Sequence, residues 1–92
     1  MLLEIVTPEA TLFKGEVTSV AVPGVDGEFQ MLDNHAPIVS LLGKGDVKIY
    51  GDVSLSKEVS SRFSRDEKGV TLLPINSGTV EMNNNKVIVL AE

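Results

Sequence analysis

The feature that most constrains the fold is a series of short apolar segments, interrupted by glycine, proline or asparagine about every 8–12 residues. Apolar residues within the segments follow the two-residue period of strands, and helical periodicity is nearly absent. This spacing predicts an all-β sandwich or barrel. With 92 residues and 42% hydrophobic residues, the chain is expected to form one domain over residues 1–92 with a single core.

Turn residues mark the ends of the predicted strands. Leu2–Val6 stops before Pro8, and a second strand over residues 16–22 stops at Pro23. Gly24 and Gly27 bound a compact turn, after which Phe29, Met31 and Leu32 are expected to return to the core. Further strands are predicted over residues 38–42, 47–50, 70–73, 78–82 and 86–90.

Two later connections are predicted to be hairpins. Residues 43–46, Gly-Lys-Gly-Asp, are typical of a turn between paired strands. Residues 83–85 are three asparagines, which tolerate the left-handed backbone region and lead into the last strand.

The segment 51–69 fits two patterns. Val53, Leu55, Val59 and Phe63 match strand alternation and also a helical stripe from Leu55 onward, whereas the many serines disfavour a helix. We expect an extended hairpin insertion with a polar tip over residues 65–69; a short helix is the alternative.

Charge and composition exclude several classes of function. The net charge is −5 and no basic block is present, which disfavours nucleic acid and anionic lipid as partners. There are no cysteines, so disulfides and thiolate metal sites are excluded. No run of eighteen apolar residues occurs, and the N-terminus lacks the pattern of a signal peptide. Any membrane association is therefore expected to be indirect, through another protein.

The residues that could carry chemistry are few. His35 is the only histidine, and its neighbours Asp33 and Ser40 are expected to point in unrelated directions, so neither a catalytic relay nor a metal site is predicted. The glycines lack the context of a phosphate-binding loop, and no cofactor is expected. His35 is interpreted as a turn residue or a partner contact. Glu28 is interpreted as a solvated acid or a partner contact.

Four segments resemble, in order and spacing, the epsilon subunit of the F-type ATP synthase. The most specific piece is Gly27-Glu28-Phe29 followed by His35-Ala36-Pro37 and an apolar run. Gln30 and Asp33-Asn34 depart from the family's usual residues. The matching segments are LEIVTPEATLFKGEV, VPGVDGEFQMLDNHAPIVSLL, SGTVEM and NKVIVLAE.

This resemblance implies the family's N-terminal β-domain, a flattened ten-stranded sandwich or barrel. It also implies a non-catalytic rotor subunit of the central stalk, which couples the gamma subunit to the c-ring of a proton- or sodium-translocating enzyme at the cytoplasmic face of the bacterial plasma membrane. Glu28 would lie toward the c-ring loops. The residues implied to face gamma are His35, Ala36, Pro37, Ile38, Val39 and Ser40.

Family members usually continue into two α-helices, and no amphipathic helical segment follows Leu90 in this sequence. The chain is therefore expected to couple rotor parts without inhibiting through a helical hairpin. The alternative is a small stand-alone β-module that carries a ligand or cofactor, for which residues 81–86 offer a lysine, Lys86, near a turn.

Overall fold

A computed structural model describes all of residues 1–92 and has ten strands in one curled, sandwich-like sheet measuring 32 × 25 × 24 Å. The all-β, ten-stranded prediction is confirmed. The chain contains no helix that is long and apolar enough to cross a bilayer. The strands are β1 (Leu2–Val6), β2 (Thr11–Glu16), β3 (Ser19–Gly24), β4 (Gly27–Leu32), β5 (Ile38–Leu42), β6 (Gly45–Tyr50), β7 (Ser64–Arg65), β8 (Thr71–Ile75), β9 (Gly78–Asn83) and β10 (Lys86–Ala91).

The strands form two halves that are joined at β3. The strand order is β2-β1-β10-β9-β5-β3-β6-β8-β7, with β4 paired to the other side of β3. All pairs are antiparallel except β1 with β10. β5 meets β3 only at the register pair Leu42 and Gly24, so the sheet turns there from one half into the other.

Alternating side chains from both halves fill one core. Leu3 and Ile5 of β1 are fully buried, as are Val87 and Val89 of the parallel partner β10. Val47 and Ile49 of β6 close the core from the other half. Each such side chain contributes roughly 1.5–3 kcal/mol by leaving water, so the two-residue period explains why these strands form and which face is inward.

One predicted hairpin and one predicted compact turn are present in the structure, and local turn chemistry explains both. Asn84 and Asn85 have φ of 51° and 59°, the geometry of a tight turn that joins β9 to β10. Gly24 pairs with Gly27 across the β3–β4 turn. A Cβ on Gly24 would lie 2.7 Å from the carbonyl oxygen of Gly27, so this close approach requires glycine.

Other predictions differ from the structure because the turn residues beside a strand do not determine which other strand it pairs with. Residues 43–46 do not form a hairpin: β5 pairs with β9 and β3, whereas β6 pairs with β3 and β8. The predicted strand over residues 16–22 is divided between β2 and β3, because the chain turns at Val17 and Thr18. Leu32, which was expected in the core, is 59% exposed.

The segment 51–69 covers one end of the core. Val53 and Phe63 are buried there, and Leu55 and Val59 pack beside them. Regular structure is limited to a 3₁₀ turn at Ser60–Arg62 and the two-residue strand β7, which pairs with β8. The expected extended hairpin is thus replaced by a loop whose apolar side chains all point inward, and only a short hairpin with its tip at residues 66–69 remains.

Candidate interaction face

One outer face of the sheet is apolar, and we call it the apolar face. It is formed by the outward side chains of β5, β9, β10 and β1, which lie in two register rows across the four strands. The first row is Val39, Glu81, Ile88 and Glu4, and the second row is Leu41, Thr79, Leu90 and Val6.

Exposure of large apolar side chains distinguishes this face. Val39 is 76% exposed, Leu41 62% and Leu90 52%. Single exposed apolar residues are ordinary on protein surfaces, but contiguous ones mark interaction sites. Leu41 and Leu90 both flank Thr79 in the same row, so they form one patch rather than isolated contacts.

A groove of 720 Å³ lies where the apolar face meets the turns of the chain. Val25 of the β3–β4 turn reaches this groove, because its backbone N–H donates a hydrogen bond to the carbonyl oxygen of Leu41 (3.1 Å). The walls are mainly apolar. They include Val6, Pro8, Val25, Leu41, Thr79 and Leu90.

Side chains alternate along a strand, so the residues 35–40 that were predicted to face gamma do not all lie on one side of the sheet. On β5, Val39 points outward, whereas Ile38 packs against the core. Ser40 also points away from the exposed side, and its hydroxyl donates to the carbonyl oxygen of Leu41 (3.3 Å). His35 and Pro37 belong to the exposed corner before β5. The predicted residues are therefore contiguous in the chain but do not all share one surface.

His35 has the environment of a turn residue. Its Nδ1 lies 2.7 Å from the carbonyl oxygen of Ala36, and its backbone N–H donates to the carbonyl oxygen of Leu32 (3.1 Å). Neither Asp33 nor Ser40 contacts the ring, so these three residues do not form a catalytic relay. No group of three or more histidine, aspartate or glutamate side chains is arranged to hold a metal ion.

The corner that carries His35 is fastened to the β9–β10 turn by a set of hydrogen bonds that we call the corner clasp. The Asn85 side-chain amide donates to Asp33 Oδ1 (2.9 Å), and Asn85 Oδ1 accepts from the Asn34 backbone N–H (2.7 Å). The Met1 amino group also donates to Asp33 Oδ1 (3.0 Å). The hydrogen bond from Asn85, then the bond and charge of the amino group, lower the pKa of Asp33.

Glu28 lies on the other half of the sheet, at the end of β4 that is distant from the His35 corner. One strand of six residues separates the two sites, which is roughly 20 Å. The Glu28 carboxylate is 3.0 Å from the Lys48 ammonium group. The hydrogen bond to Glu28, together with its negative charge, raises the pKa of Lys48.

The outward side chains around Glu28 form a second surface, which we call the polar face. Gln30 donates a hydrogen bond to the Ser19 hydroxyl (2.9 Å). The Lys48 side chain of β6 reaches across β3 to pair with Glu28 of β4. Glu28, Gln30 and Lys48 are thus paired within the chain. Leu32 is its one strongly exposed large apolar residue.

The lysine suggested for a carrier module does not lie at a turn tip. Lys86 is the first residue of β10, in register with Asn83, and its ammonium group is 3.7 Å from Glu4. A carrier lysine must project freely from the tip to receive its cofactor. This geometry gives the carrier alternative no support.

Sequence reasoning missed Leu41, Leu90 and the groove. A signal was present, because both IVSLL and VIVLA are nearly continuous apolar runs rather than alternating ones. Such runs are typical of strands that are covered on both faces. Two strands of this kind lie on either side of β9, and their exposed outer side chains make this face a candidate interaction surface.

Comparisons with known proteins agree on one family. The family model described as ATP synthase, Delta/Epsilon chain, beta-sandwich domain matches residues 1–92. An ATP synthase epsilon chain of Chlorobium limicola is 40% identical over 90 residues, covering 98% of this chain and 86% of the relative. An ATP synthase epsilon chain of Sulfurimonas denitrificans is 37% identical over 90 residues, and the match spans 98% of this chain but only 58% of that relative.

Solved structures show the same fold at low sequence identity. A chain in the central stalk and c-ring structure of the Tetrahymena thermophila mitochondrial ATP synthase superposes with a TM-score of 0.70 at 16% identity, covering 98% of this chain and 61% of that one. A chain of the Euglena gracilis mitochondrial ATP synthase gives a TM-score of 0.71 at 18% identity, with coverage of 97% and 48%.

Proposed function

Because the chain belongs to the family of ATP synthase delta/epsilon chain β-sandwich domains, we propose that it links the gamma subunit to the c-ring in the rotor of an F-type ATP synthase. The chain is a non-catalytic subunit of a membrane-associated complex. We place it at the cytoplasmic face of a bacterial plasma membrane, attached through its partners. The transported ion would be a proton or sodium.

The observation that carries this proposal is the apolar face. A coupling subunit must hold its partner while torque passes through the contact, which favours a broad apolar surface on a rigid sheet over a mobile loop. Val39, Leu41 and Leu90 supply that surface. We assign the gamma contact to this face, beginning at the corner of His35, Ala36 and Pro37 and extending to the groove.

The predicted contacts are revised in detail by this assignment. Val39 keeps its role because its side chain points outward, and Leu41 joins it two residues along the strand. Ile38 and Ser40 support the strand from within. In the proposed gamma contact, these two residues act only through their backbone atoms and through the shape they give to the strand.

Glu28 remains our candidate for the contact to the c-ring loops. Its carboxylate is half exposed, beside the acidic Asp26 of the same turn. An acidic tip suits basic residues on a partner, since opposite charge guides association and fixes orientation. Its present pair with Lys48 would be exchanged for the partner's cation.

The experiment is reconstitution into membranes that carry an ATP synthase depleted of its epsilon subunit, from the organism that supplies this chain. We expect the chain to restore ATP-driven ion pumping, and the Val39→Asp variant to restore much less. Leu32→Asp places the same charge on the polar face, at the opposite end of β4 from Glu28, and is the matched control. If the wild-type chain binds gamma but leaves pumping unrestored, the coupling role is wrong.

A further inference from the structure

We propose that Glu81 and the apolar residues around it form a receptor for one long basic side chain, preferably arginine, of the stalk partner. This inference rests on the proposed function, because it specifies the chemistry of the partner that the apolar face binds. In this proposal, Glu81 determines which partner binds and in which register, whereas the rest of the apolar face holds the partner through shape complementarity and burial of apolar surface.

The geometry places the Glu81 carboxylate between apolar neighbours, and the other acid of the same row, Glu4, lies beyond Ile88 and pairs with Lys86. In register, Glu81 lies between Val39 of β5 and Ile88 of β10. Beside it is a hollow of 290 Å³, whose walls also include Thr79, Val80 and Leu90. A space of this size accommodates one large side chain, not a whole element of secondary structure.

No group of the chain satisfies the Glu81 carboxylate. The four ion pairs in the molecule do not include it, and it accepts no hydrogen bond from another side chain or the backbone. Lys86 lies on the neighbouring strand, two residues from Ile88, and its ammonium group is 3.7 Å from Glu4. The acid is therefore available to a cation that comes from outside.

An arginine fits both parts of this site. Its aliphatic stem can lie on Val39, Ile88 and Leu90, while its guanidinium group makes two parallel hydrogen bonds to the carboxylate. Guanidinium is also less strongly hydrated than ammonium, which lowers the cost of covering it. Once the partner covers the surrounding apolar side chains, water is displaced and the ion pair strengthens.

The same arrangement would act against wrong partners. An apolar surface alone accepts many apolar surfaces, whereas an uncovered acid penalises any partner that buries it without a cation. A one-step slip of the docked partner would leave both the acid and the arginine unpaired. Glu81 would thus fix one position of the partner along the sheet.

The test measures binding of the purified gamma subunit from the same organism by isothermal titration calorimetry. We expect Glu81→Gln to weaken binding about tenfold to a hundredfold, and Glu81→Lys to weaken it further. Glu67→Gln makes the same charge change in the distant turn at residues 66–69 and should leave affinity unchanged. Substituting basic residues of gamma one at a time should reveal one whose effect disappears in the Glu81→Gln background.

The outcomes separate this inference from the proposed function. If wild-type chain does not bind gamma, the proposed function is wrong. If wild-type chain binds and Glu81→Gln binds equally well, the receptor is wrong and the proposed function stands. Equal weakening by Glu81→Gln and Glu67→Gln would indicate a general charge effect and would also overturn the receptor. Circular dichroism of each variant establishes that the fold is retained.

Discussion

The two outer faces of the sheet use their side chains in opposite ways. On the polar face, Gln30 bonds to Ser19 and Glu28 pairs with Lys48, so that the chain satisfies its own polar groups. On the apolar face, Val39 and Leu41 are open to solvent and Glu81 has no counterpart. The polar face thus pairs these polar groups within the chain, even where Glu28 is our candidate for a partner contact, whereas the apolar face leaves its large side chains uncovered. Four tests examine this contrast.

The strongest test changes two neighbouring residues of β5. Ile38→Asp places a charge against the core and should lower the free energy of unfolding by roughly 3–5 kcal/mol. Val39→Asp places it in solvent and should change that free energy by about 1 kcal/mol or less. Urea denaturation followed by circular dichroism measures both. Similar losses in the two variants would show that Val39 is not on an outer face.

The next test removes apolar surface from each face. The double variant Leu41→Ser, Leu90→Ser should weaken gamma binding about tenfold or more, because both side chains lose their burial against the partner. Leu32→Ser removes a side chain of matched exposure, 59% against 62% for Leu41, from the polar face. Calorimetric titration should show unchanged affinity for this control. Weaker binding in both variants would remove the distinction between the faces.

A smaller effect is expected from opening the corner clasp. Asn85→Gly keeps the positive φ of 59° but removes both side-chain hydrogen bonds, so stability should fall slightly. The pKa of Asp33 is lowered in the folded chain, so the clasp stabilises fully above the ordinary value of 3.8 and is lost as pH falls through the lowered pKa.

Thermal unfolding of both proteins between pH 7 and pH 2 measures this difference. We expect the wild type to be more stable near neutral pH and the gap between the two curves to narrow in acid, down to the part that comes from the pH-independent bond between the Asn34 N–H and Asn85 Oδ1. A gap of the same size at every pH would mean that the Asp33 carboxylate does not take part.

The smallest effect is expected on the polar face itself. Lys48→Met removes an exposed ion pair, and such pairs contribute little. Because the pKa of Lys48 is raised on folding, its contribution is present below the ordinary value of 10.5 and is lost as pH rises through the raised pKa. Melting temperatures at low and high salt should nearly coincide with those of the wild type. A large fall would show that this face depends on the pair.

Local chemistry explains which parts of the fold could be predicted. Three consecutive asparagines favour a tight turn because asparagine tolerates the left-handed backbone region, and the β9–β10 hairpin forms as expected. The strand at Ile38–Leu42 is bounded by Pro37 and Gly43, and its predicted ends are those observed. These features depend on a few neighbouring residues, so the sequence contains them directly.

Pairing between distant strands could not be predicted in the same way. The Gly43–Asp46 turn would suit a hairpin, but β5 and β6 take other partners because burial of the whole core decides the pairing. The orientation of Val39 follows from that pairing, as does its position beside Glu81. The candidate segment was therefore identified from the sequence, whereas its inward and outward residues, and the contribution of β10, required the fold.

The parallel pair of β1 and β10 has a consequence for how the protein forms. Five register pairs join Leu2–Val6 to residues 86–90, so the central seam of one half is made from strands more than eighty positions apart. Loop closure over such a distance must precede the contacts that stabilise it, which slows folding. During synthesis, β1 must wait until β10 has left the ribosome. Until then its apolar residues, and the face that later binds a partner, are open to chaperones and to aggregation.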